Sequence, residues 1–181
     1  MTELDTARFE EIPEGTGKFT RVLAITFIVL ATAFWLFAFS PWARDIFTAP
    51  DQLEDESLLA DMERLCATTH AEIDALPAAS TAATPIDRAI VVNEATVKLE
   101  NMVVEIGALR TEIADDARLL GLWLDDWQIY IRDRHTHAER LTTEGDVRFL
   151  NSEDNGIFVH ERMDGFARVN NVDSCETPGD I

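Results

Sequence analysis

Hydrophobic residues follow successive patterns along the chain, and each predicts a different element. From residue 22 to residue 43 no position is charged. Those 22 residues, at a helical rise of about 1.5 Å each, reach about 33 Å, enough for a hydrocarbon core of about 30 Å. The pattern predicts a transmembrane helix over 22–43. Trp35, Phe37, Phe39 and Trp42 crowd its C-terminal end, where amphipathic rings favour the headgroup level, and Pro41 marks the exit because proline cannot continue a regular helix. A cleaved secretion signal is the competing reading. Against it, the run exceeds the usual signal core of about 7 to 15 residues, and the A-x-A match at Ala31 and Ala33 sits in mid-run.

Beyond residue 53 the period becomes helical. Leu59, Met62, Cys66 and Ile73 recur at three, four and seven residues, widened by Leu58, Leu65 and Leu76, and predict a helix over 54–76. Residues 77–84 break it. Thr84, Pro85 and Asp87 then combine a hydroxyl N-cap, proline at the first helical position and an acid three residues after the cap. The stripe of this second helix reads Val92, Ala95, Leu99, Met102, Val103, Ile106 and Leu109, with Gly107 loosening its end. A third helix over 115–141 carries Leu120, Trp123, Leu124, Trp127, Tyr130, Ile131, Ala138 and Leu141 on one face. After Gly145 the period shortens, and residues 147–151 and 157–161 flank Asp154, Asn155 and Gly156 as a hairpin signal. Phe166, Val169 and Val172 add one helical turn before Cys175.

The fold class expected is therefore mainly α: one N-terminal transmembrane helix, then a three-helix antiparallel bundle with a small C-terminal β-hairpin. The expected organisation is a short cytoplasmic tail over 1–21, the membrane span over 22–43, a linker over 44–52, an extracytoplasmic domain over 53–176 and a frayed end over 177–181.

Charge sharpens this picture. The 181 residues hold 34 acids against 15 bases, a net charge of −19. That balance excludes a nucleic-acid surface, which needs clustered Lys and Arg. Arg8, Lys18 and Arg21 precede the apolar run, while Arg44 alone precedes Asp45, Asp51, Glu54, Asp55 and Glu56. Positive residues stay in the cytoplasm, so the expectation is a single-pass protein with its N-terminus cytoplasmic, its C-terminal domain extracytoplasmic, and the lipid bilayer as partner of 22–43.

Cys66 and Cys175 would then share an oxidising compartment, where a disulfide between them would close a long loop and pin the C-terminal segment onto the first domain helix. Two unrelated thiols are the alternative, Cys66 being a small residue on an apolar stripe. Cys66 and His70 stand one turn apart and could, with Cys175 and His160, form a zinc sphere. The short paired spacings of established sites are missing, so no metal and no cofactor is expected. His135 and His137 fall about 200° apart around a helix and read as surface imidazoles.

Trp123, Trp127, Tyr130 and Arg134 descend one face of the third helix. An aromatic row ending in a guanidinium can bind a ring, a sugar or a quaternary amine. The competing and stronger reading is a packed core with Arg134 snorkelling to its edge. Asp125 and Asp126 are adjacent, hence splayed by about 100°, and read as a solvated face. No nucleophile elbow, metalloprotease, phosphate-loop or dinucleotide signature occurs in the sequence, so no catalytic residue is expected.

The residues Phe39-Ser40-Pro41-Trp42-Ala43, Cys66, Thr84-Pro85, Gly121-Leu122-Trp123-Leu124-Asp125-Asp126-Trp127, Tyr130, Asp133-Arg134, Gly165-Phe166-Ala167, Asn170, Ser174-Cys175 and Pro178 together resemble single-pass membrane proteins of actinobacteria that have no assigned activity. The resemblance implies a Gram-positive envelope and an exported domain. The functional expectation is a non-catalytic, membrane-anchored interaction or accessory module that docks to a protein partner in the envelope or membrane. The alternative is an envelope sensor or carrier that binds a small ligand beside Trp123, Trp127, Tyr130 and Arg134.

Overall fold

The computed structural model describes residues 17–38 and 51–181. The expectations placed on residues 1–16 and 39–50, including the exit at Pro41 and Trp42 and most of the linker, lie outside the described residues. The chain divides into two units, Met1–Thr48 and Ala49–Ile181.

In the first unit, α1 is Lys18–Ala38. Its large side chains are exposed along the whole circumference, from Val22 to Leu36, with Phe27 at 73%. The expected transmembrane helix is nevertheless corrected here: among the described residues no helix is long and apolar enough to cross a membrane. The physical reason lies in its bounds. Lys18 and Arg21 occupy the first turn, and among the described residues the uncharged remainder, residues 22–38, reaches about 26 Å at about 1.5 Å per residue, short of a core of about 30 Å.

The second unit contains α2 (Glu56–Asp74), α3 (Pro85–Ala108), α4 (Ala114–Thr143), a hairpin of β1 (Glu153–Asp154) and β2 (Ile157–Phe158), and α5 (Val159–Val169). Single turns of 3-10 helix follow α2 at Ala79–Thr81 and α5 at Asp173–Cys175. Among the described residues there are five helices where the span plus three were expected. The added one, α5, takes most of the sequence expected as the second strand. Residues 157–159 are β-branched or aromatic and read locally as strand, but Val159, Met163, Phe166 and Ala167 are buried at helical spacing, and packing on α4 decides the outcome. Only two residues per strand remain, in the register Glu153 to Phe158 and Asp154 to Ile157. Asn155 and Gly156 both take positive φ, at 54° and 84°, the backbone that a two-residue hairpin turn demands.

Local signals explain the helix starts. Asp55 caps α2 by accepting from the amides of Ser57 and Leu58. Bonds from the Ser57 hydroxyl, the Thr111 side chain and the Leu58 amide stabilise its carboxylate and lower its pKa to about 2. Thr84 caps α3 through the Asp87 amide at 3.1 Å while its hydroxyl donates to the Asp87 carboxylate. The start of α3 meets the end of α4, since Ala89 and Val92 share a small apolar cluster with Ala138 and Leu141. These two helices are therefore antiparallel. The main core joins Leu58, Met62, Leu99, Ile106, Leu120, Trp123, Trp127 and Met163.

Two buried polar side chains fasten the entry into this unit. Asp116, in the first turn of α4, accepts from the amides of Glu54 and Asp55. Asn170, just after α5, accepts from the Leu53 amide at 2.7 Å and donates to the Asp51 carbonyl. Each satisfies backbone groups of the segment that leads into α2.

Candidate functional site

The inner face of α4 assembles the side chains with most chemical potential. Trp123 stacks on Phe166 with ring centroids 5.3 Å apart, and Trp127 meets both Trp123 and Tyr130 edge-on. Trp123 donates its indole N–H to the Met163 carbonyl at 3.3 Å, whereas the Trp127 N–H has no hydrogen-bond partner among the described residues. Trp123, Trp127 and Tyr130 are all buried in the main core. Their spacing along α4 thus does what apolar spacing does: it seals α4 against α5.

Arg134 completes the row and is the unexpected member. It does not snorkel. Its side chain has 0% exposure. The guanidinium donates through Nε to Thr96 Oγ1 at 3.0 Å, and through both terminal nitrogens to the Asp180 carboxylate at 2.7 and 2.6 Å. Tyr130 Oη lies 3.5 Å away. Burial alone pulls the guanidinium toward losing its proton, but the Asp180 hydrogen bonds and the neighbouring charges outweigh it, and its pKa is raised above the ordinary value. The same burial raises the Tyr130 phenol, with Arg134 opposing. Both groups keep their protons at neutral pH.

Asp180 belongs to a strap of residues 176–181 that crosses the α3–α4 pair. The structure joins Cys66 and Cys175 in a disulfide with an S–S distance of 2.02 Å, which ties the base of the strap to α2. Ser174 donates its amide to Glu63 at 3.1 Å, and Thr177 donates its amide to Asp164 at 2.7 Å. The end expected to fray is thus held at Thr177 and again at Asp180. Beyond Thr177, among the described residues, the hydrogen bonds that hold the strap are those from Arg134 to Asp180.

A cleft lies on each side of the strap. The first, about 460 Å³, is lined by His70, Asp74, Asp173, Glu176 and Asp180 among others. The second, about 500 Å³, is lined by Arg88, His137, Asp146, Arg148 and Phe149. Both share Ala79, Ser80, Gly179 and Asp180. Burial lowers the pKa of His70, against the opposing charges of Asp74, Asp180 and Glu63. Burial, reinforced by Arg140, Arg88 and Arg134, lowers that of His137. Each imidazole also has one buried nitrogen without a hydrogen-bond partner among the described residues.

Several sequence expectations change at this point. His137 is not a surface imidazole: it is 5% exposed and packs edge-on against Phe149, while His135 is exposed and pairs with Glu100. The overlooked signal was that His137 continues the series 123, 127, 130, 134 at helical spacing. Asp126 is not merely solvated, since Arg162 of α5 binds it, with Nε at 3.1 Å from Oδ2; Asp125 is exposed. The weighed zinc sphere has no sulfur to offer, because both thiols are spent in the disulfide. Among the described residues no group of three or more His, Cys, Asp or Glu side chains is placed to hold a metal. Asp116 and Asp180 had no sequence signal, and Asn170 entered only through the resemblance, because their partners lie far along the chain.

The outer face of α3 carries a second feature. Ile86, Ile90, Val97 and Val104 are all exposed and, at 100° per residue, fall within about 40° of one another around the helix. They line one side of the helix, with Asn93 between Ile90 and Val97, Glu100 between Val97 and Val104, and Asp87, Glu94 and Glu105 beside them. Compared with family models, with curated proteins and with solved structures, the chain matches none.

Proposed function

We propose that this chain is a membrane-anchored, extracytoplasmic interaction or accessory module without catalytic activity. The observation that carries the reading is the α3 seam, a line of branched aliphatic side chains left in solvent on a helix whose opposite face is fully packed. Isolated exposed apolar residues are ordinary, whereas four aligned on one helix face among acidic neighbours suit a protein partner with apolar anchors and a basic rim. The Cys66–Cys175 disulfide supports an oxidising compartment for residues 51–181, and the exposed apolar side chains of α1 support attachment to lipid. The polar side chains best suited to chemistry are spent on internal bonds: Asp116 and Asn170 on backbone amides, and Arg134 on Asp180.

A photo-crosslinking residue at Val97, in full-length chain retained in its native membranes, tests this reading. Crosslinks to one discrete protein are expected at Val97 and not at the exposed Gln128 of α4. The partner should be lost in an Ile90→Glu variant whose unfolding midpoint is unchanged. Crosslinking that is equal at Gln128, or that is insensitive to Ile90→Glu, would refute the seam as the docking face.

A second reading, a sensor or carrier of a small ligand beside Trp123, Trp127, Tyr130 and Arg134, draws support from Arg134 alone. The three rings are sealed, but the carboxylate on the guanidinium comes from the strap.

A further inference from the structure

We propose that the groove over Arg134 is a binding site for a peptide carboxylate, and that Asp180 of the strap occupies it as a displaceable internal ligand. The inference deepens the ligand-binding reading and is independent of the α3 seam. It begins from a mismatch. A buried arginine is expensive to desolvate, and an apolar residue of similar volume commonly serves stability as well or better. Here the helices surround the guanidinium with two neutral hydroxyls, Thr96 from α3 and Tyr130 from α4, at 3.0 and 3.5 Å. The carboxylate that balances its charge comes from outside the helices, 46 residues along the chain. The bundle therefore presents a charged fork whose flat, two-toothed geometry fits one carboxylate.

The strap is built to move. Its base is fixed twice, by the Cys66–Cys175 disulfide and by Thr177 on Asp164. Past that base, among the described residues, Pro178, Gly179 and Ile181 make no hydrogen bond, and Asp180 makes only those to Arg134. Hollows of about 460 and 500 Å³ flank it on both sides, and Gly179 and Asp180 form the wall between them. Lifting residues 178–181 joins the two clefts into one groove with Arg134 on its floor, and it costs no covalent bond and no core contact at Trp127. An extended acidic peptide is the ligand class that fits, because the present occupant is one: Glu176-Thr177-Pro178-Gly179-Asp180-Ile181.

The test uses the full-length chain and a fluorescent hexapeptide of the strap sequence 176–181. A tethered ligand competes at an effective concentration of the order of millimolar. The wild-type chain should therefore bind the peptide at least about tenfold more weakly than an Asp180→Ala variant, in which the site stands open. The matching peptide with asparagine in place of aspartate should lose at least about tenfold on the variant. If Asp180→Ala does not fold, Asp180→Asn takes its place. If neither folds, hydrogen exchange of residues 177–181 in the wild-type chain should accelerate in about 10 mM peptide and not in the asparagine peptide. A folded variant that binds neither peptide, or both equally, overturns the carboxylate site. A variant that binds the aspartate peptide, with wild-type exchange unmoved by about 10 mM of it, overturns displacement and leaves Asp180 a permanent plug; the ligand-binding reading then fails for Arg134.

Discussion

Trp127 and Arg134 lie two turns apart on one face of α4, and both have 0% exposure, yet they are held by opposite means. Trp127 is surrounded by rings and aliphatic side chains contributed by several elements, and it tolerates an indole N–H with no hydrogen-bond partner among the described residues. Many small dispersion contacts are redundant, so no single neighbour decides its place. Arg134 depends on one carboxylate from a segment without regular structure. A buried charge concentrates its stability in one partner, and losing that partner leaves the desolvation cost uncompensated. The same helix thus has a robust end and a conditional end.

Four expected outcomes test that contrast, from the largest to the smallest. Replacing Cys175 with serine opens a loop of 109 residues, and loop-closure entropy sets the loss at about 4 to 5 kcal/mol. The contrast requires an uneven response. Urea unfolding should show the destabilisation, while hydrogen exchange should rise in residues 173–181 before it rises around Trp127. Uniform acceleration along α4 would erase the distinction between its ends.

Truncating Trp127 to alanine should cost about 3 to 5 kcal/mol in urea unfolding. A cost under about 1 kcal/mol would show that the site collapses around the lost ring. Asp180→Ala should cost about 3 kcal/mol by stranding the guanidinium, and the double variant Arg134→Met, Asp180→Ala should recover most of it. Failure of the double variant to recover would mean that Arg134 packs as Trp127 does.

Mild acidification should weaken the conditional end alone, and by the least. Burial holds the imidazoles of His70 and His137 below their ordinary value of 6.5, so below that pH the unfolded chain binds protons that the folded chain refuses. Their contribution is complete above pH 6.5 and is lost as pH falls from there through the folded values. Stability should decline between pH 7.5 and 5.5, with a smaller decline in a His137→Asn variant, and acrylamide quenching of tryptophan fluorescence should stay constant over that range. The cap at Asp55, whose pKa is about 2, contributes above its ordinary carboxylate value and fades only as pH falls toward 2.

The division between robust and conditional parts also marks what could be read from sequence. The start of α3 was legible because Thr84, Pro85 and Asp87 act on one another within four residues. The inner face of α4 was legible because helical spacing and burial share one period. The helix α5 was legible only in its second half, where Phe166 and Val169 keep helical spacing; its first residues favour strand locally, and Met163 and Phe166 meeting Trp123 override that preference. The setting of Arg134 was not legible. A guanidinium at the end of an aromatic row is equally compatible with solvent, a ligand or a buried partner, and the deciding residue lies 46 positions away. The roles of Asp116 and Asn170 were hidden for the same reason, as each fastens backbone more than 60 residues distant.

The disulfide has one more consequence, which concerns cutting rather than unfolding. Residues 66 and 175 enclose α3, α4, the hairpin and α5 within a single covalent ring. The exposed connections, around Ala78 and Ala83 and from Asp146 to Leu150, are where a protease meets accessible backbone. A single nick at either place opens the ring without releasing a fragment. The severed chain should run as one species without reductant and as two with it, its pieces still packed through α2 on α3 after the first cut and through α4 on α5 after the second.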